Sequence, residues 1–272
     1  MQDILVYVRD FQERTPAAYY GARLATALGA SITGMYACPA PVYSAPAYEP
    51  ELMSAIMENT RKLVSDALEA KTSFLDWAVS MGVAQAEWLV TEGNPTDALV
   101  QAATRHDLLI LDHPVEGKGS AWDIPGLVLK VGAPCIVLPR RGWHYEQIER
   151  VAIGWNGSPE AMRAVHAALP FVQGKQVLLM RGDERPKYPE IEWYPPFDIE
   201  AYLQRRNVSV VPHTITAQPD DAGQALLEEA MRFRADLLVV GAYGRSRFSE
   251  WMLGGATRDV LTWADLPLFM RH

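Results

Sequence analysis

The chain repeats itself, and the repeat constrains the fold more than any single motif does. Arg105-His-Asp107-Leu-Leu-Ile-Leu111 lies over Arg234-Ala-Asp236-Leu-Leu-Val-Val240, each an apolar run led by an aspartate. Upstream, Ile4-Leu-Val-Tyr-Val-Arg9 matches Val151-Ala-Ile-Gly-Trp-Asn156 as an opening strand that ends on a polar residue. Alanine-rich amphipathic stretches follow in both halves, Thr15 to Leu28 and Ser158 to Leu169. The second is led by a serine N-cap with proline at the first helical position. Ser31 to Ala37 and Gln176 to Met180 are the next strands, and proline-led strands, Ala133 to Leu138 and Leu266 to Met270, close the halves. Helical periodicity over Asp97 to Thr104 and Asp221 to Phe233 precedes the two aspartate-led runs. Short runs that are apolar throughout predict strands buried on both faces. Strands alternating with helices predict an α/β fold, a parallel sheet with helices on both sides.

The repeat breaks at Pro139 to Glu149, which predicts two domains, 1–139 and 149–272, each within the usual domain size. The net charge of −8 argues against nucleic acid or an anionic membrane surface as partner, because phosphate backbones need a basic face. Met1-Gln-Asp runs directly into the first strand with no signal-like segment, and no apolar run has the length of a bilayer span. Cys38 and Cys135 are far apart and adjoin prolines, which predicts buried free thiols in a reducing compartment. The expectation is a cytoplasmic protein.

Two segments depart from regular structure. Pro39 to Pro50 and Arg181 to Pro196 are proline- and tyrosine-rich loops, each joining a second strand to the next helix. Their aromatics could lid a ligand, stack a base, or pack on the neighbouring domain; packing is the expectation. Glu51 to Ser80 is then a long helix, and Asp198 to Arg206 a short one.

The second half ends its Asp236-led strand in Gly241-Ala-Tyr-Gly244, with Gly254-Gly255-Ala-Thr257 following and opening a helix. Glycines at a strand end let backbone approach a ligand closely, and the first N–H groups of a helix have no internal partners. Dipole, unpaired donors and the Thr257 hydroxyl are the parts of an anion cradle, phosphate being the expected anion. A tight turn plus close helix–sheet packing explains the glycines equally well. In an open parallel sheet the ligand crevice lies where the winding direction reverses. That rule gathers Gly154, Asn156, Gly157 and Ser158 beside Gly241 to Gly244.

This combination resembles the universal stress proteins: two glycines three apart, a third ten residues on, and the preceding Asp-Leu-Leu-Val-Val strand. The Asn156-Gly-Ser158 turn, the Pro267-led strand and the duplication agree with a tandem member, over essentially the whole chain. The resemblance implies two tandem Rossmann-like domains, each with a five-stranded parallel sheet, pairing through their last strands as an intramolecular pseudo-dimer, with a homodimer as a further form. It also implies ATP or another adenine nucleotide, with Mg2+ as an accompanying ion. The implied binding residues are Gly154, Asn156, Gly241, Gly244, Arg245, Gly254, Gly255, Ala256 and Thr257. Two of them depart from the family pattern. Gly255 replaces a hydroxyl residue, and Asn156 replaces an aspartate but keeps an amide able to hydrogen-bond ribose or adenine.

The first half departs further, with Arg9 at the carboxylate position and Asp112 to Ser120 where the cradle belongs. Gly117-Lys-Gly-Ser120 lacks the leading glycine of a P-loop. This domain is expected not to bind nucleotide, and the loss of the cradle there argues for a ligand role of the second-half glycines. The six histidines and two cysteines show no metal-ligand spacing. Asp112-His113 is expected to be a surface turn and Ser158 a helix cap. With no acid–base set, the expectation is a non-catalytic nucleotide sensor in a stress response. The alternatives are an ATP-using enzyme of the related nucleotide-binding α/β group and a binder of small hydrophobic ligands beneath the aromatic loops.

Overall fold

The computed structural model describes residues 1–38, 50–113, 123–140, 147–182, 191–217, 221–242 and 255–272. Two compact units divide the chain: Met1–Asp112 with Lys130–Ala133, and His113–Leu129 with Pro134–His272.

In the first unit, β1 (Asp3–Tyr7), β2 (Ser31–Cys38), β3 (Ala86–Glu92) and β4 (Leu108–Leu111) form a parallel sheet in the order β3-β2-β1-β4. The helices α1 (Pro16–Leu28), α2 (Pro50–Ser80) and α3 (Pro95–Ala103) connect them. Ile4 to Val6 and Leu108 to Leu111 are wholly buried, as central parallel strands require. Leu99 on α3 is buried as completely, and Asn94 caps that helix ahead of Pro95.

The second unit begins with α4 (Ile124–Lys130, its final residue excepted) and β5 (Cys135–Val137). Its remaining strands are β6 (Arg150–Trp155), β7 (Gln176–Arg181), β8 (Val210–Thr214), β9 (Leu237–Gly241) and β10 (Leu268–Arg271). The helices are α5 (Pro159–Val172), α6 (Ile199–Gln204), α7 (Ala222–Arg232) and α8 (Gly255–Trp263). The strand order is β5-β10-β9-β6-β7-β8. β6 to β10 make the expected five-stranded parallel sheet. The last strand of the first half, β5, belongs with this unit, antiparallel to β10, with Leu268 opposite Val137 and Met270 opposite Cys135. Both cysteines are buried, and burial pushes the Cys135 thiol up to about 12.

The repeat extends to individual hydrogen bonds. Asp107 accepts from the Gln2 and Asp3 amides at 2.6 and 3.3 Å; Asp236 accepts from Glu149 and Arg150 at 2.9 and 2.8 Å. Each aspartate pins the start of the opening strand of its half, β1 or β6, to the start of the neighbouring one. The helix caps correspond as well. Thr15 Oγ1 accepts from Ala18 N–H at 3.2 Å on α1, and Ser158 Oγ from Ala161 N–H at 3.1 Å on α5. Alanines bury the inward faces of both helices, which lets each lie close on its sheet.

Candidate functional site

The winding of the second unit reverses between β6 and β9: from β6 the chain proceeds to β7 and β8, and β9 is followed by β10 on the other side. The crevice at the carboxyl ends of these two strands is therefore the position where an open α/β sheet takes a ligand. Gly154 pairs with Val240 in the register of the two strands, and Asn156 and Gly241 stand at their ends.

Asn156 is exposed, and its carboxamide oxygen accepts from Ser158 N–H at 3.1 Å, closing a local turn through Gly157 at φ 73°. Among the described residues no acceptor is assigned to the amide nitrogen, which keeps its two donors for a partner. Ser158 is a helix cap, as its sequence context predicts, with its hydroxyl on Ala161 N–H. Gly154 lies against Val240 and Leu226, where an added Cβ would come within 3.1 and 3.2 Å.

Gly241 has a packing requirement of its own. A Cβ there would stand 2.4 Å from Ala161 N and 2.6 Å from Glu160 C, both backbone atoms of the first turn of α5. Backbone cannot yield as a side-chain tip can, so this position admits only glycine at the observed spacing. The inference from the first half, that such glycines serve no need of the fold, therefore does not extend to Gly241. Ala242 follows wholly buried, donates its N–H to Arg271 O at 2.9 Å, and has its carbonyl 3.0 Å from His272 Nδ1.

Gly255 and Ala256 open α8, a nine-residue helix that includes Thr257. Gly241 and Gly255 thus bracket the glycine-rich stretch at the strand and helix ends, while Gly244, Arg245 and Gly254 lie outside the described residues. So do Gly117-Lys-Gly-Ser120 and most of the two proline-rich loops.

At the same edge of the first unit stands a different arrangement. Asp112 occupies the position of Gly241 and Arg9 that of Asn156. Arg9 Nη2 and Nε donate to Asp112 Oδ1 at 2.7 and 3.0 Å, and Asp112 Oδ2 accepts from Ala17 N–H at 3.3 Å in the first turn of α1. Asp112 is 6% exposed, which corrects the expectation of a surface turn. Burial pushes its carboxyl above the usual carboxylate range, with the Arg9 charge and the Ala17 amide opposing. An opposite-charge pair at the two positions where the second half has Asn and Gly was the available sequence signal.

The described end of the Arg181–Pro196 loop is open to solvent. Trp193 is 70% and Tyr194 85% exposed, so these rings do not pack down as expected. With Phe197 they line a cleft of about 760 Å³, together with Trp155, Ser158 and Met162. Trp155 and Phe197 lie 6.0 Å apart between ring centroids. Tyr194 hydroxyl donates to Glu192 on the same loop.

A family model described as the universal stress protein family matches residues 147–271. No curated protein matches the chain. Among solved structures, a universal stress protein from Archaeoglobus fulgidus DSM 4304 aligns with a TM-score of 0.66 at 12% identity, covering 99% of this chain and 95% of that one. A functionally unknown protein from Pseudomonas aeruginosa PAO1 aligns at 0.58 and 10%, covering 99% and 92%. At these identities the shared property is the fold. Among the described residues no helix is long and apolar enough to cross a membrane. Residues 147–271 thus match the universal stress protein family, within a chain that shares its α/β fold from end to end with the aligned structures.

Proposed function

We propose that the second half binds an adenine nucleotide, ATP or AMP, without turning it over, and that the protein acts as a nucleotide sensor in a stress response. The observation that carries this reading is the position of the glycine-rich stretch. Its described ends, Gly241 and Gly255, stand at the end of β9 and the start of α8, and β9 flanks the switch point of the sheet in a domain that matches this family.

In this reading Asn156 offers its amide to a ribose hydroxyl or a ring nitrogen. The phosphates lie against the first N–H groups of α8, where Gly241, Gly244, Gly254 and Gly255 hold no Cβ, and Ala256 little more. Arg245 would add a positive charge and Thr257 a hydroxyl, and Mg2+ would enter with the nucleotide. Ser158 is committed to capping α5, which supports binding rather than turnover. β5 against β10 supports the expected intramolecular pairing of the last strands.

Calorimetric titration and thermal shift with ATP and AMP test the proposal. A ligand specific to the folded state at a hundredfold over its Kd stabilises by about 2.7 kcal/mol. Gly244→Trp fills the cradle and is expected to abolish that gain. Absence of any shift at millimolar nucleotide would sink the sensor reading.

A further inference from the structure

The cleft under Trp193 and Tyr194 has the wrong chemistry for a phosphate. Among the described residues the only charged group lining it is Glu192, with no lysine, arginine or histidine. An anion placed there would face the Glu192 carboxylate with no counter-charge among the described residues. Trp193, Tyr194 and Phe197 are 70%, 85% and 54% exposed, a concentration of uncovered rings that marks a contact surface. The π faces of such rings attract cations, and a carboxylate held among them adds to the attraction. Glu192 is held in this way, by the Tyr194 hydroxyl.

The cleft meets the switch-point crevice at Gly157 and Ser158 and extends from there over the opposite face of β6. Along β6 successive side chains point to opposite faces. The Gly154 position faces Leu226 of α7, whereas Trp155 turns to the other face and lines the cleft with Met162 of α5. A volume of about 760 Å³ accommodates a small organic molecule. The net charge of −8 favours approach of a cation over an anion.

We propose that this cleft binds a hydrophobic organic cation, an alkyl- or aryl-ammonium whose charged head lies among Trp193, Tyr194 and Glu192 and whose apolar body lies over Trp155 and Met162. The described lining of the cleft includes neither Asn156 nor Gly241.

The test uses the full chain titrated with benzyltrimethylammonium by calorimetry, with choline and its uncharged isostere 3,3-dimethylbutan-1-ol as competitors. One saturable site is expected, with choline competing and the uncharged alcohol not. Glu192→Gln should weaken binding about tenfold, and Trp193→Ala should do so at least as much. Both residues are exposed, so the unliganded thermal midpoint should stay at the wild-type value. Gly244→Trp should leave cation binding intact, which separates this site from the nucleotide reading. The proposal is overturned by absence of saturation, by equal competition from the alcohol, by wild-type affinity in Glu192→Gln, or by loss of cation binding in Gly244→Trp.

Discussion

The two halves solve the same corner in opposite ways. Where the Asp-led strand ends beside the first turn of the first helix, the second unit places Gly241 with no side chain, directly against the backbone of Ala161. The first unit places Asp112 there, with a carboxylate that reaches the Ala17 amide and is held by Arg9. One corner is closed by backbone contact and leaves Asn156 at the surface; the other is filled by a part-buried ion pair whose carboxylate is buried. The fold tolerates either, so the difference bears on what can enter. An anion approaching the first corner would compete with a carboxylate already in place at the helix N-terminus.

The comparison can be broken by mutation. Arg9→Met should have the largest effect, about 3 kcal/mol in urea denaturation, because it leaves Asp112 buried and unpaired. Arg9→Asn with Asp112→Gly, which installs the second-half residues, should cost less than Arg9→Met alone. If the double variant is the less stable, the ion pair is more than a filler. Lowering the pH sharpens the point. Burial already raises the Asp112 carboxyl, so its ionisation opposes folding, and protonation relieves the opposition. The deficit of Arg9→Met should therefore shrink as pH falls into the carboxylate range; a deficit independent of pH would assign it to lost packing.

Gly241→Ala should follow, at about 2 kcal/mol, through the collision with Ala161 and Glu160. A neutral outcome in denaturation would show that α5 can retreat and that the glycine serves a ligand alone. Ser158→Ala and Thr15→Ala should each cost about 1 kcal/mol and agree closely with one another, since they cap equivalent helices in the same geometry. The smallest effect concerns Asp107, whose carboxyl is held below the usual value by the Gln2 and Asp3 amides. The sign is opposite to that of Asp112. Its contribution is complete above the ordinary carboxylate value and is lost as pH falls through the depressed one. Asp107→Asn should flatten that acid limb of the stability curve, leaving neutral-pH behaviour of the second half untouched.

What the sequence discloses and what it withholds divide along the range of the interactions. The caps at Thr15 and Ser158 and the aspartates leading β4 and β9 follow from local spacing, and the repeat sets their equivalence. Arg9 and Asp112 were each visible as departures from the second half, yet their pairing joins positions 103 apart and needs the β1–β4 alignment. The Asn94-Pro95 start of α3 and the short α4 are local signals that a search for apolar periodicity passes over. The strand character of β5 is legible, but its neighbour is not, because an apolar three-residue strand carries no mark of which edge it joins. The aromatics at 193–197 fail differently: their residue types predict burial, and only the structure reports that they stand in solvent.

The seating of β5 on β10 imposes an order on biosynthesis. Val137 meets Leu268 about 130 residues later, a closure that no earlier part of the chain can supply. During translation β5 emerges long before β10, and the edge that takes β10 must wait, its hydrogen-bonding groups open, until 268–271 has been made. Ribosome-stalled or nonsense-truncated products would therefore display a bare strand edge, a chemical mark by which quality-control machinery could separate them from finished chains.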